Sequence, residues 1–149
     1  MEKIKIPAKN LEKLEDNLLA GDIILLWRIA FGTFTNQTWF PKYFRYTYGI
    51  QGKEHLQSLW QKGYVEKESA FDSLDHINAK EKKDILKKFQ VTGLSKLKSK
   101  ELDTLLREHL SEEELGEQFS VRGYKLTEKG QKMLEKYGDV VDRHPKKSL

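Results

Sequence analysis

The sequence predicts a mainly α-helical protein with one small β-hairpin and a helical segment inserted within that hairpin. Apolar residues recur at helical spacing through most of the 149 residues. Two short segments, 63-GYVEKES-69 and 121-VRGYKL-126, instead have the composition of strands, and more than fifty residues separate them. A hairpin tip is exposed and its ends lie close together, so it tolerates a long insertion at a small cost in loop-closure entropy.

The composition indicates a folded protein. Hydrophobic residues make up 38% of the chain and charged residues 34%, and three Trp, seven Phe and six Tyr are enough to build a core. The chain has no cysteine, which excludes disulfides, thiolate zinc sites and a cysteine nucleophile and fits a reducing compartment. No apolar run approaches the roughly 20 residues of a membrane helix, and the first residues lack the apolar core of a signal peptide. We therefore expect a cytoplasmic protein without membrane contact.

The first third of the chain predicts two helices after a flexible arm over residues 1–10. Leucines at helical spacing predict a helix over 11–19, which Gly21 interrupts. Asp22 is expected to cap the second helix, which continues to about Phe31. Residues 33–40 are expected to form a loop.

The next segment predicts a helical turn and a longer helix. Pro41 begins the turn, because proline suits the first helical position, and Gly49 ends it. The helix over 51–62 has Leu56, Leu59 and Trp60 on its apolar side, and Gly63 follows as its C-terminal cap.

Polar residues at cap positions divide the second half into helices. Asn78 with Glu81, and Ser99, are expected to cap two helices, and Ser111 with Glu114 predicts one more capped turn. Thr127 caps the last helix, which Gly138 ends, and we expect residues 141–149 to be flexible.

Two segments carry a resemblance to a known family. The stretches 56-LQSLWQKGYVEKES-69 and 121-VRGYKLTEKGQKML-134 resemble MarR-like and related winged helix-turn-helix regulators. The segment 84-DILKKFQVTGLSKLKSKELDTLLREHL-110 is similar to a SAP-type helix–extended-loop–helix unit, although it lacks the second glycine of that loop, where Lys98 stands. The resemblance implies a winged domain over 11–69 and 119–140, a SAP-like unit over 70–118, and flexible ends at 1–10 and 141–149. The open alternative is that the strands do not pair and two helical domains follow in tandem.

The winged resemblance implies that the helix over 51–62 reads DNA in the major groove. Glutamine pairs with adenine, and lysine pairs with guanine or phosphate. The candidate DNA-reading residues of this helix are therefore Gln51, Lys53, Gln57, Gln61 and Lys62. The return strand of the wing adds Arg122 and Lys125. Any solvated helix face has such residues, which is the structural alternative.

The middle segment is locally basic. Residues 80–100 carry eight lysines and two acids, although the whole chain has a net charge of only +4. Lysines that neutralise phosphates make binding salt-dependent. The candidate phosphate ligands are Lys80, Lys83, Lys87, Lys96, Lys98 and Lys100. A solvated charged surface is again the alternative.

The remaining chemistry-bearing residues favour structural roles. Aromatics interleaved with Lys42 and Arg45 in 39-WFPKYFRYTY-48 are able to stack on bases, but Trp39, Phe40 and Phe44 are better explained as core. The four histidines show no metal-ligand spacing, and a capping or loop role suits the group of Asp72, Asp75 and His76. No catalytic motif is present, so we expect no enzyme activity, cofactor or metal.

The sequence thus predicts a non-enzymatic protein that binds double-stranded DNA, as a small transcription regulator or accessory factor of phage or mobile-element type. The alternative is an interaction adaptor that binds a protein partner, or itself as a homodimer, and uses no nucleic acid. In that case the leucines of the 11–19 helix supply a docking face.

Overall fold

The computed structural model describes residues 5–145 and shows a mainly helical chain with one small antiparallel sheet. The described helices are α1 (Ala20–Ala30), α2 (Tyr43–Tyr46), α3 (Gly52–Gln61), α4 (Ala79–Lys88), α5 (Ser99–His109), α6 (Glu112–Gln118), α7 (Glu128–Lys136) and α8 (Gly138–Arg143). The strands are β1 (Val65–Lys67) and β2 (Tyr124–Leu126). The predicted fold class is confirmed at this level. No helix among the described residues has the length and apolarity to cross a bilayer.

The chain divides into two compact units. We call the first the body: residues up to Phe34, Thr38–Glu66, and the chain from Tyr124 onward. The second, the insert, comprises Thr35–Gln37 and Lys67–Gly123. The sequence predicted the inserted unit at 70–118, so the insert begins three residues earlier, ends five later, and also takes in part of the 33–40 loop.

The two strands pair although more than fifty residues separate them. Thr127 donates its amide to the Tyr64 carbonyl at 3.1 Å, and Glu68 donates to the Gly123 carbonyl at 2.8 Å, which sets an antiparallel register. The tandem arrangement with unpaired strands is therefore excluded. The segment at 34–36 also pairs with the chain around Gly123, through an antiparallel bridge at Thr35.

The body is built around α1, whose Ile23, Ile24, Leu25 and Leu26 are fully buried. The helix begins earlier than predicted. Gly21 lies inside α1, and a Cβ there would come within 2.8 Å of Ile50 Cδ1, so glycine allows the close approach. Asp22 does not stand at the N-cap position; its carboxylate accepts from the Leu19 amide at 2.8 Å in the first turn.

The helix predicted over 11–19 is wrong. Asp16 and Asn17 have positive φ angles of 57° and 60°, which end a 3₁₀ turn at Glu15–Asn17. Tertiary hydrogen bonds hold this turn, since Tyr64 Oη donates to the Asp16 carboxylate at 2.7 Å. Leu18 is buried in the body core, so the predicted leucine face for a partner does not form.

The core of the insert lies between α4, α5 and α6, where Leu86, Leu102, Leu106 and Leu115 are fully buried. Asn78 caps α4 as predicted, with its Oδ1 accepting from the Glu81 amide at 2.8 Å.

Of the two remaining helix caps predicted for the insert, one is confirmed and one is wrong. The Ser111–Glu114 capping box begins α6 as predicted. The Ser99 cap is wrong: Lys98 stands at the N-cap of α5, and Glu101 accepts from its amide at 3.1 Å.

The C-terminal part is more ordered than predicted. Thr127 caps α7 as expected, accepting from the Gly130 amide at 3.1 Å. The helix that Thr127 caps ends at Lys136, just before Gly138 as predicted, but a further helix, α8, begins at Gly138. His144 is buried, with Nδ1 2.5 Å from Tyr48 Oη, so the predicted flexible end is wrong for 141–145. At the other end, residues 8–10 of the predicted arm belong to a 3₁₀ turn, Ala8–Leu11. Residues 1–4 and 146–149 lie outside the described part.

Candidate nucleic-acid interface

The outer face of α3 presents three of the five residues predicted to read DNA. Lys53, Gln57 and Gln61 are exposed and follow one another at four-residue spacing, so they share one side of the helix. Leu56 and Leu59 are buried on the opposite side and fix the rotation of the helix. A stripe of amide and ammonium donors at this spacing is able to hydrogen-bond a row of base edges or phosphates.

The other residues of this helix differ from the prediction. Trp60 is 51% exposed rather than part of the apolar side. Gln51 is exposed but stands at the N-cap, before the helix begins. Lys62 is half-buried, and its Nζ donates to the Asp16 carbonyl at 2.9 Å, so it belongs to the packing of the body.

A groove opens between α2 and the start of α3. Its volume is about 370 Å³, and Phe40, Phe44 and Ile50 supply apolar walls. Gly52 makes room for one wall, because a Cβ there would lie 2.3 Å from Phe40 Cδ1. The cations that line it are Lys42, Arg45 and Lys53.

The aromatics around this groove divide between core and surface. Phe44 is buried and Phe40 packs against the body core, as predicted for both. Trp39 is 91% exposed, so its predicted place in the core is wrong. The reason is that Phe34, Phe40 and Phe44 already fill this region, with ring centroids 5.5 to 6.1 Å apart.

The two candidate residues beside the hairpin are both engaged with the protein. The Arg122 guanidinium donates to the carbonyls of Phe119, Val121 and Gly116 at 2.8 to 3.0 Å and lies over the Phe119 ring. Those bonds give it a structural role. Lys125 is exposed and pairs with Glu66 at 3.4 Å across the two strands. A surface ion pair of this kind contributes little to stability.

The insert lysines lie mostly on its surface. Lys80, Lys87, Lys96, Lys98 and Lys100 are exposed, whereas Lys83 is half-buried and donates to the Ser95 carbonyl at 3.2 Å. One lysine of the basic segment is not available to any ligand. Lys82 is 2% exposed, and its Nζ lies 2.7 Å from Asp103 Oδ1.

Three of these lysines stand where helix stability disfavours them. Lys96 lies just before α5, Lys98 is its N-cap residue, and Lys100 is in its first turn. The helix macrodipole places a partial positive charge at this end, so cations there are repelled by it. The three lysines and the dipole are opposed in this turn by one carboxylate, that of Glu101, which bonds to the Lys98 amide, so the local balance of charge is positive and favours an anion.

A shallow hollow of about 350 Å³ adjoins the same region of the insert. Lys83 and Lys87 of α4 line one side, and the loop at 91–95 lines the other. Gly93 has a φ of 77°, which turns this loop. Among the described residues, the amides of 92–95 donate no hydrogen bond to the protein. Such amides and lysines together are suitable ligands for a phosphate oxygen.

The titratable side chains outside these surfaces form structural contacts. His55 Nδ1 lies 2.6 Å from the buried Asp22 carboxylate, and this hydrogen bond raises the pKa of His55. Burial, followed by the charge of Asp75, raises the pKa of Glu68, which lies 3.8 Å from His76. Burial also raises the pKa of Tyr48 to about 12. Within residues 5–145, no three His, Asp or Glu side chains are grouped as metal ligands would be.

Sequence reasoning missed two features of these surfaces. The exposure of Trp60 was predictable, because it is seven residues after Lys53 and therefore lies on nearly the same side of α3. The exposure of Trp39 had no local signal, since it depends on which neighbouring aromatics fill the core. No family model, curated protein or solved structure matches the chain.

Proposed function

We propose that this chain is a non-enzymatic protein that binds double-stranded DNA, with a winged helix-turn-helix body and a SAP-like insert carried in the wing. The order α1, α2, α3, β1 and then β2 supports the body assignment, as does the antiparallel bridge between Thr35 and Gly123, the residue before β2. The insert assignment is supported less directly, by the helices α4 and α5 and the loop at 89–98 that joins them and turns at Gly93.

The observation that carries the proposal is the set of lysines at the N-terminus of α5. Lys96, Lys98 and Lys100 are exposed, form no ion pair among the described residues and oppose the helix dipole. Their presence does not help the fold, so a ligand with negative charge explains them better than stability does. DNA phosphates carry the negative charge that such a group of exposed lysines is able to neutralise.

The outer face of α3 supplies the second contact. Lys53, Gln57 and Gln61 suit base edges, while the insert lysines suit the backbone, so the first set selects sequence and the second adds affinity. Two weak sites joined in one chain gain affinity through effective concentration when both engage one duplex. A small transcription regulator or accessory DNA protein would use both.

The test is fluorescence anisotropy of a labelled duplex at several salt concentrations between about 50 and 200 mM. The variant changes Lys96, Lys98 and Lys100 to glutamine. Removal of each lysine–phosphate pair should reduce the slope of log affinity against log salt by about 0.9, so we expect a slope smaller by about 1 to 3. Unfolding does not imitate this result, because removing cations from the start of α5 favours the helix.

A matched control removes the same charge elsewhere. Lys13, Lys132 and Lys136 are exposed residues of the body, and their change to glutamine should leave the slope nearly unchanged. Equal slopes for the two triple variants would refute the insert contact. Absence of duplex binding in the unmodified protein at low salt would refute the proposed function and favour the adaptor that binds a protein partner.

A further inference from the structure

Trp39 is the most exposed large apolar side chain among the described residues, at 91%. Burial of a large aromatic side chain stabilises a fold, and this indole contributes little of that stabilisation. The adjacent Phe40 is anchored in the core between Phe34 and Phe44, so the backbone below the indole is fixed. An indole held on an anchored backbone and left in solvent is available for a planar ligand.

The groove between α2 and the start of α3, which Phe40 lines directly after Trp39 in the chain, has the charge of a site for a polyanion. Lys42, Arg45 and Lys53 line it, and none of them forms an ion pair with an acidic side chain in the part of the chain that the structure describes. Other lysines of the body, such as Lys132 and Lys136, do form such pairs. The three groove cations are therefore free to bind anions.

Exposed rings accompany these cations. Tyr46 is 50% exposed and lines the groove, and the Arg45 guanidinium lies 5.7 Å from the centre of its ring. Alternation of cations with exposed aromatic faces matches a ligand that alternates phosphates with flat bases. An acidic peptide would satisfy the charges but would leave the indole of Trp39 without a planar partner.

We propose that this groove binds a single strand of nucleic acid, with a base stacked on Trp39 and phosphates on Lys42, Arg45 and Lys53. A base must leave the duplex stack before an indole is able to cover its face. The groove therefore prefers an unpaired strand to an intact duplex. This inference takes nucleic acid as the ligand from the proposed function. It adds the strand state and a second site in the body, which shares Lys53 with the outer face of α3.

The test is titration of intrinsic tryptophan fluorescence with oligothymidylate of about 12 nucleotides, a length within the usual site size. All three tryptophans belong to the body, so quenching reports contact there and not at the insert. We expect the oligonucleotide to quench the emission and to bind more tightly than a duplex does in the same assay. The change Trp39→Phe should remove most of the quenching, and Trp39→Ala should weaken binding roughly 5- to 100-fold.

Two control variants make the test specific. Trp60→Phe removes the second exposed indole, which lies on α3, and should leave the oligothymidylate quenching in place. The change of Lys42 and Arg45 to glutamine should reduce both the affinity and its salt dependence. Far-ultraviolet circular dichroism checks the fold of each variant, and replacing a side chain with 91% exposure is not expected to change that fold.

The outcomes separate this inference from the proposed function. Duplex binding that depends on the insert lysines, without oligothymidylate quenching at Trp39, would overturn the groove and leave the proposed function standing. Quenching at Trp39 without any duplex binding would support the groove and overturn the proposed function. Equal quenching by polyglutamate would overturn the groove as a nucleic-acid site and identify a surface for acidic peptides.

Discussion

Replacing Gly130 with alanine tests how closely α7 packs against the residue before β1. A Cβ on Gly130 would lie 2.0 Å from the Tyr64 carbonyl oxygen, whereas such contacts are essentially never under 3.0 Å. The two segments would have to separate by about 1 Å. The carbonyl does not turn away freely, because it accepts the Thr127 amide at 3.1 Å and Thr127 in turn caps α7.

Two opposing effects decide the sign of this substitution. Helix propensity alone predicts that alanine in α7 stabilises by about 0.8–1.0 kcal/mol. Overpacking against a backbone atom costs about 1–3 kcal/mol, and weakening the Tyr64–Thr127 hydrogen bond costs about 1 kcal/mol more. We therefore expect the free energy of unfolding of the body to fall by about 2 kcal/mol.

Urea unfolding followed by tryptophan fluorescence measures this change in the body, because all three tryptophans lie there. The control is Gly138→Ala in α8, where no atom lies within 4 Å of an added Cβ, and its stability should be unchanged or slightly raised. A Gly130→Ala protein as stable as the unmodified one would show that helix propensity outweighs the contact and would refute the reasoning.

Two further predictions concern buried charge and pH. Lys82→Met should lower the unfolding free energy of the insert by about 1–3 kcal/mol, which is less than for a fully buried ion pair because Asp103 is 33% exposed. Urea unfolding followed by far-ultraviolet circular dichroism measures this change. The control, Lys88→Met at an exposed position, should change the unfolding free energy by under about 0.5 kcal/mol. Because Asp22 raises the pKa of His55, the stabilising effect of this pair is complete below about pH 6.5 and disappears as the pH rises through that raised value. Body stability should therefore fall as the pH rises above about 6.5, and His55→Gln should flatten this dependence; equal pH dependence in both proteins would contradict the assignment.

The elements that were predictable from sequence depend on residues close together in the chain. The caps at Asn78, Ser111 and Thr127 each join a side chain to an amide three residues away, so their spacing alone identified them. The composition of 63–69 and 121–126 predicts two strands but also allows them to remain unpaired, and only the hydrogen bonds between β1 and β2 decide that they pair.

The predictions that are wrong depend instead on contacts between residues far apart in the chain. The expected helix over 11–19 has suitable leucine spacing, but Asp16 bonds to Tyr64 and adopts a positive φ. Ser99 suited a cap by type, yet Lys98 occupies that position and the Ser99 hydroxyl instead accepts from the buried Lys82 at 3.3 Å. In each case a contact with a distant residue outweighed the local preference, and no local pattern indicates such a contact.

For the candidate interface, the sequence by itself determined where the charges and donors are concentrated: a basic stretch over 80–100 and a polar face on the helix after Gly49. Only the tertiary structure decided which of them are accessible. It buried Lys82, engaged Lys62 and Arg122 in backbone contacts, and left Trp39 in solvent. The physical reason is that charge and helical periodicity can be read from the sequence, whereas the exposure of a side chain depends on which side chains from distant segments occupy the core.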